Sequence, residues 1–163
     1  GMMGVGKSTI GKNLAKKLKY NFFDVDELIE NKEGASISSI FKNKSENYFR
    51  KIENDITLQV LKRKNSVISL GGGAFLNKSI RTSAKEKSIS FWLDVDIVKL
   101  IERLKRSKKR PLLYKKNISD TVKKIYIERE KIYSKADYRI KCSSLKTKEI
   151  VDKILKLYEN AGN

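Results

Sequence analysis

Apolar positions along this chain switch repeatedly between a helical and an extended period. Ile10, Leu14 and Leu18 recur at helical spacing within residues 6–19, and Tyr20–Val25 then reads as a short strand ending in carboxylates. The longest stripe, Phe49, Ile52, Ile56 and Val60, marks a helix over 45–64. Ser66–Leu70 predicts a strand that runs into three glycines. A helix over 76–85, a strand over Ser88–Leu93 and an amphipathic helix over Asp96–Arg106 follow. Beyond the only proline, Pro111, the pattern predicts a helix over 118–135, a strand over Tyr138–Cys142 and a closing helix over 147–160.

Strands alternating with helices predict an α/β three-layer sandwich, a mostly parallel sheet flanked by helices on both faces. No repeat, linker or composition break divides the chain, so residues 1–163 read as one domain. Ligands of such sheets bind beyond the carboxyl ends of the strands. Asp24, Asp26 and Gly71–Gly73 all fall at such ends.

Composition narrows the chemistry. The chain has no histidine, which removes serine–histidine and cysteine–histidine catalysis and histidine metal sites. One cysteine, Cys142, rules out an internal disulfide and fits a reducing cytosol, so a cytoplasmic location is expected. No run approaches ~18 apolar residues, and the start of the chain lacks the apolar core of a secretory signal. The net charge of +18 invites a nucleic-acid reading, but the cations are scattered and 29 of the 37 are Lys. Against that background each of the eight Arg invites attention, because only Arg offers a planar bidentate fork.

Residues 1–8, GMMGVGKS, match the phosphate-binding pattern G-x-x-x-x-G-K-[ST] in full. Gly4 and Gly6 permit a nest of inward-pointing N–H groups, and the following helix adds its positive end. Lys7 is expected to bridge the β- and γ-phosphates of ATP, and the Ser8 hydroxyl to ligate Mg²⁺. Such a loop normally follows a strand, and none precedes Gly1 here. The expectation is therefore a fragment lacking its first, central strand and less stable than its parent.

Four further segments bear on the phosphate acceptor. Asp24 and Asp26 stand two apart: one can hold Mg²⁺ while the other accepts a hydroxyl proton, or both are solvated carboxylates with Asp26 capping a helix over 27–32. Arg50 and Glu53 neighbour each other on one helix face, as a carboxylate-binding fork or as an ordinary ion pair. Gly71–Gly73 let a ligand lie against the backbone. Arg110, beside Pro111, sits in a basic stretch placed to fold over the phosphates as a lid (residues 105–117), and Arg129 lies on a helix returning to the sheet.

Taken in order, GMMGVGKS, DVD, FRKIE, GGGA, RPLL and EREKIY resemble the shikimate kinase family over essentially the whole chain. The resemblance implies a nucleoside-monophosphate-kinase-like fold with a five-stranded parallel sheet, and phosphorylation of the 3-hydroxyl of shikimate by ATP. It implies that Gly4, Val5, Gly6, Lys7, Ser8 and Thr9 bind the ATP phosphates, and that Ser8 and Asp24 hold Mg²⁺. By the same resemblance Asp26 orients the 3-hydroxyl and takes its proton. Arg50 and Arg129 grip the shikimate carboxylate, and Gly72 and Gly73 bind its hydroxyls. Arg110 joins Lys7 in neutralising the transferring group, while Arg103 and Lys146 approach the adenine. The expected partners are the two small-molecule substrates alone, with no nucleic acid or membrane, and a monomeric enzyme. The competing readings are a gluconate or nucleoside-monophosphate kinase, a basic nucleic-acid-binding module, and a kinase-like scaffold without activity.

Overall fold

The computed structural model describes residues 1–106 and 117–161. Helix α1 (Lys7–Leu18) starts at Gly6, whose left-handed φ of 95° turns the phosphate loop into the helix. It buries Ile10, Gly11, Leu14 and Ala15. Strand β1 (Asn21–Asp24) passes directly into α2 (Val25–Glu33), because the Asp24 carboxylate accepts the Asp26 N–H and caps the helix. The cap is thus Asp24, not Asp26, and Asp26 lies in the first turn of α2 instead of at the strand end. Gly34, with φ 62°, ends α2.

A helix absent from the sequence reading, α3 (Ile37–Asn43), follows behind its Ser36 cap. Helix α4 (Glu46–Val60), capped by Ser45, presents the anticipated stripe and also buries Glu53 and Thr57. Strand β2 (Ser66–Ser69) leads through the glycines to a 3₁₀ turn (Ala74–Leu76) and α5 (Lys78–Lys87). The remaining order is β3 (Phe91–Asp94), α6 (Ile97–Arg106), α7 (Ile118–Tyr133), β4 (Tyr138–Lys141) and α8 (Thr147–Ala161).

The strands form two parallel pairs. β1 lies on β2 with Asn21 opposite Ser66 and Asp24 opposite Ser69. β3 lies on β4 with Phe91 opposite Tyr138 and Asp94 opposite Lys141. Four of the five strands that the resemblance implies are therefore present among the described residues, with no ladder joining β2 to β3.

Two apolar clusters hold the layers together. The larger centres on Trp92, Leu100, Val122, Tyr133, Ile140 and Val151. The smaller gathers Val25, Ile29, Ile40, Phe49, Ile52 and Ile56 under α2–α4. Ile68 and Leu70 touch both and join them. Burying each such side chain stabilises the fold by roughly 1.5–3 kcal/mol. This frame fixes the C-terminal ends of β1 and β2 beside the phosphate loop. Among the described residues no helix is long and apolar enough to cross a membrane.

Candidate active site

The phosphate loop takes the shape its glycines allow. Gly4 and Gly6 have φ of 78° and 95°, conformations that side chains rarely adopt, and a Cβ on Gly4 would also press on Leu104. Met2 and Val5 are buried and pin the loop to the core, so Val5 can serve a ligand only through its backbone. Lys7 folds back, its Nζ donating to the carbonyl oxygens of Gly1 at 3.2 Å and Met2 at 2.9 Å. Thr9 stands exposed on the first turn of α1.

Ser8 Oγ donates to Asp24 Oδ2 at 2.5 Å, and the other carboxylate oxygen of Asp24 caps α2. A hydroxyl and a buried carboxylate in contact are hard oxygen donors, the set that Mg²⁺ prefers alongside water and phosphate oxygens. No group of three or more acidic or thiol ligands exists among the described residues. Such a sparse donor set fits an ion completed by nucleotide phosphates better than a protein-only cage.

The acceptor side is organised around Gly71–Gly73. A Cβ on Gly71 would lie 2.6 Å from Asp26 Oδ1 and 2.8 Å from Glu53 Oε1, so only glycine lets the chain pass between those carboxylates. A Cβ on Gly73 would collide with the Arg50 guanidinium. Arg129 Nη1 donates to the Gly72 carbonyl at 3.0 Å, and the Tyr133 hydroxyl donates to the same oxygen at 2.5 Å. Gly71 and Gly73 are therefore required by close approach, whereas a Cβ on Gly72 would make only ordinary contacts, Arg129 Nη1 at 3.8 Å among them.

Arg50 is held on two sides. Its Nη1 donates to Glu53 Oε2 at 2.6 Å, the predicted pairing, while Nε and Nη2 donate to Glu46 Oε1 at 3.3 and 3.1 Å. Burial pushes the Glu53 carboxyl above its ordinary range; Arg50 pulls it back and the Asp26 charge adds to the rise. Burial likewise raises the Tyr133 hydroxyl, which therefore stays a donor to Gly72.

At the far end, Arg103 is exposed in the last turn of α6. Burial pushes the Cys142 thiol up to about 11, and Lys99 Nζ on α6 donates to the Ser143 carbonyl at 2.9 Å, so α6 and the loop after β4 are neighbours. Lys146 is exposed, with its N–H capped by Glu149 at 2.6 Å. Arg110 lies outside the described residues, as does most of the proposed lid.

The structure thus brings Lys7, Ser8, Asp24, Asp26, Arg50, Gly72, Gly73 and Arg129 to one end of the strands. Glu46 escaped the sequence reading and is visible only as a residue four before Arg50. Tyr133 entered it only as the last residue of EREKIY, with no role assigned, four after Arg129 on the same helix face.

Comparison with known proteins identifies the family. A family model described as shikimate kinase matches residues 3–159. A shikimate kinase from Persephonella marina is 42% identical over 155 residues, covering 95% of this chain and 93% of that protein. The solved structure of the Acinetobacter baumannii shikimate kinase in complex with shikimate superimposes with a TM-score of 0.92 at 33% identity, covering 99% of this chain and 90% of that one. A gluconokinase from Sinorhizobium meliloti, at 17% identity and a TM-score of 0.57, shares the fold alone. With the match running almost end to end, the chain belongs to the shikimate kinase family, P-loop phosphotransferases of the nucleoside-monophosphate-kinase-like α/β fold.

Proposed function

We propose that this chain transfers the γ-phosphoryl group of ATP to the 3-hydroxyl of shikimate through the residues gathered at Gly71–Gly73. The observation that carries the reading is the convergence there of the Asp26 carboxylate and two guanidinium groups, Arg50 and Arg129, with Glu53 bracing Arg50. A small acid bearing hydroxyls needs that combination: cationic forks for its carboxylate and a base beside the reacting oxygen.

In this scheme Arg50 and Arg129 take the carboxylate, and the backbone of Gly72 and Gly73 lines the hydroxyl-bearing face. Asp26 orients the 3-hydroxyl and receives its proton as the oxygen bonds to the γ-phosphorus. The bond from that phosphorus to the β,γ-bridging oxygen breaks, and ADP leaves. Lys7 exchanges the carbonyls of Gly1 and Met2 for phosphate oxygens and stabilises their charge, assisted by Arg110. The amides of Gly4–Thr9 bind the phosphates. Ser8 and Asp24 would hold Mg²⁺, which would supply further charge neutralisation. Arg103 and Lys146, both exposed, flank the adenine.

All the residues named belong to one chain, so a monomer suffices, acting in the reducing cytoplasm. The test is ADP release measured with shikimate, gluconate and a nucleoside monophosphate as acceptors. Turnover with shikimate alone is expected. Equal or faster turnover with gluconate contradicts the assignment.

A further inference from the structure

Asp94 closes β3 and takes no part in the proposed chemistry, yet its buried carboxylate is fully engaged. The Tyr126 hydroxyl donates to its Oδ1 at 3.1 Å. Arg139 donates to its Oδ2 through Nε at 3.0 Å and Nη2 at 2.8 Å. The main chain is fixed as well, because the Asp94 carbonyl accepts the Cys142 N–H at 2.7 Å. The Arg139 guanidinium lies over the Trp92 ring, 4.3 Å from its centroid, and reaches Glu130 of α7 at 3.7 Å. Burial and the Asp94 charge push the Tyr126 hydroxyl up to about 12, so it remains a donor.

Helix α7 meets this cluster on the face that carries Arg129. Tyr126, Arg129, Glu130 and Tyr133 stand at i, i+3, i+4 and i+7, which places them on one stripe. Tyr126 is tied to Asp94, while Arg129 and Tyr133 are tied to the Gly72 carbonyl. The Tyr133 ring also packs 6.0 Å from that of Trp92. At 1.5 Å of rise per residue, the two ties lie roughly 5–10 Å apart along the helix. One ends on a fixed strand terminus and the other on the glycine segment of the acceptor site.

Apolar packing of Val122 and Tyr133 holds α7 against the core, but such contact is non-directional and tolerates rotation or slip. Hydrogen bonds to a carboxylate are directional and do not. A partly exposed ion pair such as Asp94–Arg139 adds little net stability once desolvation is counted, which leaves position as its main effect. We propose that Asp94, acting through Tyr126 and Arg139, is a positioning residue that fixes the rotation and height of α7, and with them the place of the Arg129 guanidinium. This inference rests on the role proposed above for Arg129. A misplacement of about 1 Å in a binding group can cost a large factor, and here the Gly72 contacts limit the loss.

The test is a double-mutant cycle on the full chain, with Tyr126→Phe and Arg129→Ala made singly and together. Tyr126→Phe is expected to raise the shikimate KM by about 3–10-fold, with kcat and the ATP KM within about twofold. In the Arg129→Ala background the same change is expected to leave the shikimate KM within about twofold, because its effect has to pass through Arg129. Asp94→Asn is expected to reproduce the KM effect and to shift the emission of Trp92, the chain's only tryptophan, as the Arg139 guanidinium leaves its ring. Val122→Ala loosens the same face of α7 without touching the cluster. It is expected to lower Tm by about 4–8 °C and to leave the shikimate KM within about twofold. An unchanged KM in Tyr126→Phe, additive effects in the cycle, or an equal KM rise in Val122→Ala overturns the positioning role alone. Arg129→Ala without effect on that KM overturns the proposed carboxylate site itself, and the positioning role with it.

Discussion

At the donor end of the site, Lys7 gives its ammonium protons to two carbonyls of its own loop, and Ser8 gives its hydroxyl proton to Asp24. At the acceptor end, Arg50 is braced by Glu46 and Glu53, while Arg129 and Tyr133 meet on the Gly72 carbonyl, 57 and 61 residues away in sequence. The donor groups are thus satisfied by contacts that nucleotide and metal would replace. The acceptor groups are fixed by contacts that a substrate would leave intact. Arg129 offers five N–H groups in a planar fork and gives one of them to Gly72 in that contact. Binding energy at the acceptor end is therefore not diverted into ordering side chains, whereas at the donor end the loop must exchange partners.

Substitutions at each end sharpen this contrast. The largest effect is expected from Asp26→Asn, which keeps the side-chain shape and removes the base. kcat falls by about 10²–10⁴-fold while ATP binding measured by titration stays within about twofold. Lys7→Met is expected to lower kcat by about 10²–10³-fold and to weaken ATP binding, with shikimate affinity unchanged. A loss of shikimate affinity in that variant would break the separation of the two ends.

Arg129→Ala is expected to raise the KM for shikimate by about 10–100-fold with a smaller change in kcat, the cost of one charge-assisted pairing. An unchanged KM removes Arg129 from the carboxylate site. Tyr133→Phe deletes one buried hydrogen bond, worth about 1 kcal/mol. A Tm decrease of about 2–4 °C and a few-fold rise in shikimate KM are expected, with ATP KM constant. A variant indistinguishable from the parent would show that Gly72 is held by Arg129 alone.

The donor end was legible in the sequence because its residues are contiguous: eight neighbours carry the glycines, the lysine and the serine. The acceptor end was legible as separate motifs but not as a network. Nothing local shows that Gly71 separates Asp26 from Glu53, or that Gly73 runs under Arg50. Those facts come from three segments packing at one end of two strands. The error over Asp24 and Asp26 has a local cause. Alternation assumes that the strand continues, but the Asp24 carboxylate ends it by capping α2. Helix α3 was missed because its seven residues are too few for a clear stripe, although Ser36, Ile37 and Ile40 mark its start and buried side.

The contrast between a braced acceptor pocket and a self-satisfied donor loop is tested most directly by calorimetric titration of shikimate into the chain without nucleotide, set beside Arg129→Ala. Saturable binding of shikimate with no nucleotide present, weakened at least about tenfold by Arg129→Ala, is the predicted result. Binding that appears only after nucleotide is added, or that is untouched by the substitution, contradicts it.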